Sequence, residues 1–252
     1  MLKFFSRWCE PHVVLALVLT FLFSSLPFTR ALADDTHPSP HRFTPKIYKG
    51  REIAPPMSYL GADWLEREER ERLEQPEKVL DVLKIAPGSM IADIGAGTGY
   101  YSLRLAKRVG PQGRVLATDI QPEMLARLRI NMKKADISNI DPILCTPTDA
   151  KLPHGKLDLA LMVDVYHELA NPEETMAQVR RALKPDGRLA LIEYRGEDPT
   201  VPIKPEHKMT LKQVHEELEP MGFRIQETFD FLPRQHVIVL VPTEPGASSP
   251  SP

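Results

Sequence analysis

A glycine-rich stretch, Asp93–Gly99, carries the first residues that could bind a small ligand. Its sequence is D-I-G-A-G-T-G, so that Gly95, Gly97 and Gly99 alternate with other residues. Glycine permits a positive φ and lets a ligand lie against bare backbone. The N–H groups of such a turn, and of a helix that follows it, attract a polar or anionic group. In a dinucleotide-binding turn the third glycine comes three places after the second. Here it comes two places after, which argues against a nicotinamide-dependent oxidoreductase.

Carboxylates follow three predicted strands at the edge where such a ligand would lie. Asp119 ends the second strand, Asp149 follows the third and Asp164 follows the fourth. An acid at the end of the second strand can accept hydrogen bonds from both hydroxyls of a ribose, and Ile120 would then pack on the base. The alternatives are that Asp119 is only the N-cap of a helix beginning near Pro122, and that Asp149 is a surface turn residue.

A second group of polar residues follows the fourth and fifth strands and could act on a substrate. His167 is the candidate general base, because the reference pKa of histidine is about 6.5. We expect Tyr166 and Glu193 to lie near it at the carboxyl edge of the sheet. Alternatively, His167 only caps a helix or bonds to the backbone, and Glu193 belongs to a salt-bridge network. With Glu168 and His207 these residues could hold a metal ion, but no compact spacing such as H-x-x-x-H occurs, and we predict no metal site.

The order of predicted elements indicates an α/β fold. Short apolar runs predict strands, with helical patterns between them, at Met90–Ile94, Arg114–Thr118, Ile143–Cys145, Leu157–Val163 and Arg188–Tyr194. Repeated strand–helix units require a parallel sheet covered by helices on both faces. Two further runs, Arg224–Phe231 and His236–Val241, follow each other closely and should pair antiparallel. We therefore predict a Rossmann-like three-layer sandwich with a mostly parallel seven-stranded sheet that ends in an antiparallel C-terminal hairpin.

The first 33 residues have the pattern of an export signal. Basic residues precede the apolar run Val13–Leu26, and an A-x-A cleavage signature ends at Ala33. The run is shorter than the roughly 20 residues that a spanning helix needs. We therefore expect residues 1–33 to be a cleaved signal peptide, so that the protein is periplasmic or secreted and keeps no stable membrane anchor. The alternatives are an uncleaved N-terminal anchor and a true start at Met57.

The remaining segments differ in composition. Residues 34–62 are rich in Pro, His and Thr and predict an extended linker. Residues 63–241 predict the folded domain, and residues 242–252 a disordered tail rich in Pro and Ser. The formal net charge of −2 gives no reason to expect a nucleic-acid partner. Cys145 would be alone after cleavage and is interpreted as a small apolar strand residue. The oligomeric state stays open.

The D-x-G-x-G-x-G turn, Asp119 in register with it and the terminal hairpin together resemble the class I S-adenosylmethionine (SAM)-dependent methyltransferases. The resemblance extends from about residue 64 to residue 241. The sequence is most similar to small-molecule enzymes of the ubiquinone/menaquinone-biosynthesis type and to predicted bacterial methyltransferases that carry signal peptides. It departs from the quinone enzymes in the loop Asp164–Glu168, which argues against a quinone substrate.

The resemblance implies SAM as the cofactor, a small molecule as the methyl acceptor, and a methyltransferase domain at residues 63–241. It implies cofactor binding by Asp93, Gly95, Ala96, Gly97, Thr98, Gly99, Asp119, Ile120, Asp149, Ala150 and Asp164. Asp149 would hydrogen-bond the adenine amino group. The predicted catalytic residues are His167, Tyr166 and Glu193. The alternative function is a non-catalytic extracytoplasmic protein that binds an adenosyl compound or another nucleoside on the same fold.

Overall fold

The computed structural model describes residues 46–243. The predicted signal peptide, residues 34–45 of the predicted linker and residues 244–252 of the predicted tail lie outside the described residues. The strands are β1 (Ile47–Tyr48), β2 (Arg51–Glu52), β3 (Met90–Ile94), β4 (Arg114–Asp119), β5 (Ile140–Leu144), β6 (Leu157–Val163), β7 (Leu183–Arg195), β8 (Lys208–Met209), β9 (Phe223–Phe229) and β10 (Gln235–Pro242). The α-helices are α1 (Glu69–Glu74), α2 (Pro76–Val82), α3 (Tyr100–Val109), α4 (Pro122–Lys134), α5 (Pro172–Ala182) and α6 (Leu211–Leu218). Within residues 46–243, no helix combines the length and the apolarity needed to cross a bilayer.

One sheet of eight strands runs through the domain in the order β5-β4-β3-β6-β7-β10-β9, and the two-residue β8 pairs with β7. Strands β3 to β7 pair in parallel, and β10 pairs antiparallel with both β7 and β9. The predicted mostly parallel sheet with a terminal antiparallel hairpin is therefore confirmed. The short β8 is added to the seven predicted strands. Because β3 lies between β4 and β6, a crevice forms at its carboxyl end, where open α/β sheets bind ligands.

Helices cover both faces of the sheet. Helices α2, α3 and α4 pack on one face, where Leu105 and Ile91 belong to the same buried cluster. Helices α5 and α6 pack on the other face, where Met176 and Ala92 belong to a second cluster. Successive residues of a strand point to opposite faces, which explains why the neighbours Ile91 and Ala92 lie in different clusters. The predicted three-layer arrangement follows from these two cores.

Residues 46–62 are not the extended linker that composition predicts. They form the antiparallel β1–β2 hairpin and enter a 3-10 helix at Tyr59–Glu66. The buried guanidinium of Arg51 donates to both carboxylate oxygens of Glu217 on α6, at 2.7 and 3.0 Å. It also donates to the carbonyl of His167 at 3.1 Å. Tertiary ion pairing orders this segment, and a local sequence pattern carries no trace of such a contact.

Strand β7 begins earlier than predicted. Leu157 pairs with Leu183, whereas Leu159 pairs with Arg188, so residues 185–187, which precede the predicted strand, lie in a bulge of β7. Strands β3 and β6 have the predicted bounds, because strands buried on both faces are continuous apolar runs. These two strands deliver the glycine turn and the His167 loop to the same edge of the sheet.

Candidate active site

A cavity of about 500 Å³ opens at the carboxyl ends of β3, β4 and β6. The turn after β3 contributes Gly95 and Gly97, the end of β4 contributes Asp119, and the loop after β6 contributes Asp164 and His167. Small-molecule sites in proteins have volumes of roughly 300–1,000 Å³. Residues of the N-terminal segment form part of the wall, so the cavity depends on chain on both sides of the glycine turn.

The glycine turn is packed so closely that side chains cannot replace its hydrogens. Gly95 has φ 70°, and a Cβ there would lie 2.6 Å from Cγ2 of Val165. Gly99 has φ 89°, and a Cβ there would collide with the side chain of Leu128. The N–H of Gly97 donates to Oδ2 of Asp119 at 2.9 Å. Gly95 therefore packs against the loop after β6, and Gly97 is hydrogen-bonded to the end of β4.

Asp119 is buried at the cavity wall with only 6% of its surface exposed. Its Oδ1 accepts from the backbone N–H of Gln121 at 2.8 Å, and its Oδ2 accepts from Gly97. Burial raises the pKa of Asp119, and the backbone hydrogen bonds oppose that rise. The N-cap of α4 is Gln121 rather than Asp119. Next to it, the side chain of Ile120 is 40% exposed and faces the same cavity, an unusual exposure for isoleucine.

Four predicted cofactor residues, Asp93, Ala96, Thr98 and Gly99, do not border the cavity. The buried carboxylate of Asp93 accepts from the hydroxyl of Ser102 on α3 at 2.5 Å, and burial raises its pKa to about 6. Thr98 is also buried, and its hydroxyl has no hydrogen-bond partner within residues 46–243. In the structure the side chains or backbone of these residues lie behind the turn and determine its shape, and their contacts with a cofactor stay predictions.

Asp149 does not line the cavity, and its predicted contact with an adenine amino group stays a prediction. Its side chain is 53% exposed, and its Oδ2 lies 3.3 Å from Nζ of Lys151. The backbone N–H of Lys151 also donates to it, and this bond lowers the pKa of Asp149. The neighbouring Ala150 does line the cavity, and its N–H donates to Gln178 at 2.8 Å. A surface turn residue, the alternative interpretation, describes Asp149.

Asp164 lines the cavity in a left-handed conformation, with φ 54°. Both of its carboxylate oxygens accept from Nε2 of Gln235, at 3.0 and 2.9 Å. Burial raises the pKa of Asp164 well above its usual range, and the charges of Glu74 and Glu193 add to the rise. This residue is therefore a partly buried acid whose ionised form a cationic ligand would stabilise.

His167 is 1% exposed, yet it borders the cavity. Its Nδ1 lies 2.6 Å from Oε2 of Glu193, which is fully buried on β7. The other oxygen of Glu193 accepts from the N–H of Tyr166 at 2.9 Å, so the carboxylate is held in place. Burial acts to lower the pKa of His167, but the charge and hydrogen bond of Glu193, with the charges of Glu168 and Asp164, raise it. The structure thus brings the predicted residues His167 and Glu193 into direct contact.

Glu168 and His207 lie beside His167 at the same end of the cavity. Nδ1 of His207 is 3.2 Å from Nε2 of His167, and Oε1 of Glu168 is 3.9 Å from each of these nitrogens. Burial raises the pKa of Glu168 to about 7, although the His167 charge opposes this. Burial and the neighbouring His167 lower the pKa of His207. Three potential ligand atoms lie within 4.8 Å of one another, so the structure brings together side chains for which we predicted no metal site because their spacing in the sequence is not compact.

Tyr166 does not line the cavity, so the structure does not bring its side chain to the ligand side with His167. Its hydroxyl donates to Oε2 of Glu217 at 2.8 Å, in the buried ion pair with Arg51. Burial raises its pKa far above the usual range. Tyr166 and His167 share one turn of 3-10 helix, in which successive side chains point about 120° apart. Tyr166 consequently positions Glu193 through its backbone, while His167 faces the ligand side.

The N-terminal helices contribute a part of the cavity wall that no sequence pattern predicted. Arg70 on α1 borders the cavity, is 6% exposed and pairs with Glu74 at 2.7 Å. Its guanidinium also lies 3.9 Å from the centre of the Tyr100 ring. The i,i+4 spacing of Arg70 and Glu74 was available as a signal, but the same spacing is common on solvated helix faces. Trp64 and Leu65 complete this side of the wall.

Comparison with known proteins identifies the family. Residues 85–231, more than half of the chain, match a family model described as a methyltransferase domain. The chain belongs to this methyltransferase family. A crystal structure of a SAM-dependent methyltransferase from Aquifex aeolicus is similar, with a TM-score of 0.70 and 26% identity, covering 73% of this chain and 98% of that one. The predicted resemblance to SAM-dependent methyltransferases and the Rossmann-like fold are both confirmed.

Other relatives match shorter parts of this methyltransferase. A putative type 11 methyltransferase from Sulfolobus solfataricus shares the fold, with a TM-score of 0.51 and 21% identity over 64% of this chain and 87% of that one. The ubiquinone/menaquinone biosynthesis C-methyltransferase UbiE of Hydrogenovibrio crunogenus is 28% identical over 116 residues, 46% of each chain. A demethylmenaquinone methyltransferase of Listeria welshimeri is 25% identical over 117 residues, 46% of this chain and 50% of that one. The match spans about half the length of these curated relatives.

Proposed function

We propose that this protein transfers the methyl group of SAM to a nucleophilic atom of a small-molecule acceptor. The observation that carries the proposal is the buried Asp119 carboxylate, fixed by the N–H of Gly97 on a cavity wall that also exposes Ile120. A carboxylate beside an exposed apolar side chain suits a ribose joined to a flat base. Membership of the methyltransferase family supports the same conclusion.

The residues present fit the chemical groups of SAM. Each Asp119 oxygen accepts one backbone bond and retains a lone pair for a ribose hydroxyl. Ile120 offers an apolar surface to the adenine, and Arg70 offers a positive charge to the carboxylate of the methionine part. The partly buried acid Asp164 suits the ammonium group or the sulfonium charge. When bound, SAM supplies a methyl group on a positively charged sulfur, which is a good leaving group.

The chain's own contribution is to align the acceptor, exclude water and assist loss of a proton. His167 is suited to the last task, since a proton on its Nδ1 directed at Glu193 leaves the Nε2 lone pair for the cavity side. Glu193 also stabilises the positive charge that develops if the imidazole takes up a proton. The acceptor is therefore expected at the end of the cavity formed by His167, Glu168 and His207.

Binding is tested by calorimetric titration of the purified chain with SAM, S-adenosylhomocysteine and NAD. We expect the two adenosyl compounds to bind and NAD to fail, because the glycine turn lacks the dinucleotide spacing. Turnover is tested by transfer of a labelled methyl group from SAM into a small-molecule extract. SAM binding without transfer to any fraction would favour the non-catalytic alternative, and absence of SAM binding would refute both.

The role of His167 is tested by His167→Ala. We expect turnover to fall by about 10²- to 10⁴-fold, the usual contribution of a general acid or base. SAM affinity should stay within a few-fold, because the Asp119 end of the cavity is unchanged. The matched control is His215→Ala, which removes an exposed histidine that pairs with Glu219 on α6. Unchanged turnover in His167→Ala would contradict the assignment.

We also propose that the protein is exported, on the strength of the apolar run and the A-x-A signature at Ala33. Cell fractionation with N-terminal sequencing of the mature protein tests this. We expect a mature N-terminus at Asp34 in the extracytoplasmic fraction. A full-length chain recovered from the cytoplasm would contradict the proposal.

A further inference from the structure

Two imidazoles and a carboxylate lie together at one end of the cavity, with one potential ligand atom of each within 4.8 Å of the others. The ligand atoms are Nε2 of His167, Nδ1 of His207 and Oε1 of Glu168. We propose that these three residues bind one divalent transition-metal ion, with Zn²⁺ as the expected occupant. This inference rests on the proposed function and deepens it: His167 then acts as a metal ligand in place of the general base, and the metal holds and activates the acceptor.

The separations between the three atoms match those of ligands around one ion. They are 3.2 Å between the two nitrogens and 3.9 Å from the carboxylate oxygen to each nitrogen. Zinc–nitrogen and zinc–oxygen distances are about 2.0–2.2 Å, so two tetrahedral ligands lie about 3.4 Å apart. Small side-chain rotations therefore suffice to place an ion equidistant from the three atoms. The two rings are nearly perpendicular, at 80°, with their centres 5.1 Å apart.

An outer carboxylate supports the first of these ligands. Metal-binding histidines usually donate their other ring N–H to a carboxylate or carbonyl, which fixes the tautomer and the ring orientation. Here Oε2 of Glu193 lies 2.6 Å from Nδ1 of His167, in position to accept its hydrogen. Oε1 of Glu193 accepts from the N–H of Tyr166 at 2.9 Å, which fixes the carboxylate. Glu193 is fully buried, so this partner is held rigidly. A surface pair of histidines would lack such support.

The donor set decides which ion is expected. Two imidazole nitrogens and one carboxylate suit zinc and similar transition metals, whereas magnesium prefers a set of oxygen ligands and water. Three protein ligands leave a fourth position, as in catalytic rather than structural zinc sites. All three side chains border the cavity, so the open position is available to an acceptor.

A metal ion there would activate the acceptor directly. Coordination lowers the pKa of a hydroxyl or thiol, as it does for water. The acceptor then loses its proton to solvent and binds as the anion. A lone pair of that oxygen or sulfur forms the new bond to the methyl carbon of SAM. The electron pair of the broken carbon–sulfur bond stays on the cofactor's sulfur and neutralises its charge. The proposed acceptors are accordingly small molecules with an acidic hydroxyl or a thiol.

The test is zinc binding by the tag-free full chain, measured by calorimetric titration with Zn²⁺ and by metal analysis after dialysis. Co²⁺ substitution adds a visible absorption spectrum that reports the coordination number. We expect one Zn²⁺ per chain, and magnesium should not compete. Loss of an outer partner usually costs roughly 10- to 100-fold in metal affinity, and Glu193→Gln should lower zinc affinity within that range. His207→Ala and Glu168→Gln each remove a direct ligand and should lower zinc affinity by more.

SAM binding is measured on the same samples to separate this inference from the proposed function. His207 and Glu168 are partly exposed, so their variants should fold and keep SAM affinity. The control is His215→Ala, which removes an exposed histidine next to a glutamate. Zinc binding that falls equally in His215→Ala and His207→Ala, or does not fall in His207→Ala, would overturn the metal centre while leaving SAM binding intact. Zinc binding without SAM binding would instead overturn the proposed function.

Discussion

Replacement of Asp119 by alanine is the sharpest test of where the adenosyl group binds. The carboxylate holds two backbone N–H groups, those of Gly97 and Gln121, and borders the cavity. The alanine variant removes the proposed acceptor of both ribose hydroxyls. It also leaves the two N–H groups without their partner. Affinity for SAM and stability of the free protein should therefore both fall, for separable reasons.

The size of the affinity loss follows from the bonds removed. A hydrogen bond to a charged group contributes about 1.5–3 kcal/mol. Two such bonds amount to about 3–6 kcal/mol, which is about a 10²- to 10⁴-fold loss in affinity. The free protein loses two amide bonds, but it also loses a buried carboxylate whose pKa burial has raised. The loss of stability should therefore be smaller than the roughly 1–3 kcal/mol per unsatisfied amide would suggest.

The assay is calorimetric titration with SAM, accompanied by urea unfolding of each variant. Asp119→Asn should give an intermediate affinity, because its amide oxygen can still accept one hydroxyl. Asp141→Ala is the matched control, since it removes a partly exposed acid from the neighbouring strand that pairs with Arg114. An Asp119→Ala protein that unfolds cooperatively and binds SAM within about threefold of the parent would refute the assignment, since about 1.4 kcal/mol already corresponds to tenfold.

Three further outcomes are expected. Gly95→Ala should lower the free energy of unfolding by about 2–4 kcal/mol, because the backbone is left-handed and the new methyl would lie 2.6 Å from the side chain of Val165. Gly50 has φ 85° and no neighbour within 4 Å, so Gly50→Ala should show the backbone strain alone in urea unfolding. The pKa of Asp93 is raised to about 6, so ionisation of this acid destabilises the folded protein as pH rises from about 4 to 6. Asp93→Asn should therefore be more stable than the parent at pH 7.5, by up to about 3 kcal/mol in urea unfolding. The gain should be absent at pH 4. Tyr166→Phe should cost about 1.5–3 kcal/mol of stability, because it removes a buried hydrogen bond to the charged Glu217, yet leave turnover unchanged; a large loss of turnover would restore the hydroxyl to the active site.

Sequence patterns predicted the central sheet well, because its order depends on local signals. A strand buried on both faces is a run of apolar residues, and this pattern located Met90–Ile94 and Leu157–Val163 at their observed bounds. The hairpin near Arg51 carries no such pattern. Its strands have two residues each, and their position depends on an ion pair with Glu217, 166 residues away in the sequence. Contacts between residues so far apart cannot be predicted from local sequence patterns.

The sequence allowed us to predict which strand ends carry the site residues, but not the direction in which each side chain points. Residues that end parallel strands meet at one edge, and this rule brought Asp119 and Asp164 to the cavity. Beyond the strand end, turn geometry decides which way a side chain points. Asp149 turns to solvent, and Tyr166 turns inward while its neighbour His167 faces the ligand side. The carboxylate of Asp93 differs again, because it is buried behind the turn and accepts from the hydroxyl of Ser102.

The position of His167 depends on the segment that composition assigned to a linker. Its ring is held from β7 by Glu193, and its carbonyl accepts from Arg51 at 3.1 Å and from the N–H of Ala54 at 3.2 Å. Arg51 also neutralises the buried Glu217, and a buried charge left without its partner costs about 3–5 kcal/mol. A chain trimmed to the predicted domain start at residue 63 would keep every strand of the main sheet. It would lose both contacts to the His167 carbonyl and the partner of Glu217, so the functional unit must include the β1–β2 hairpin.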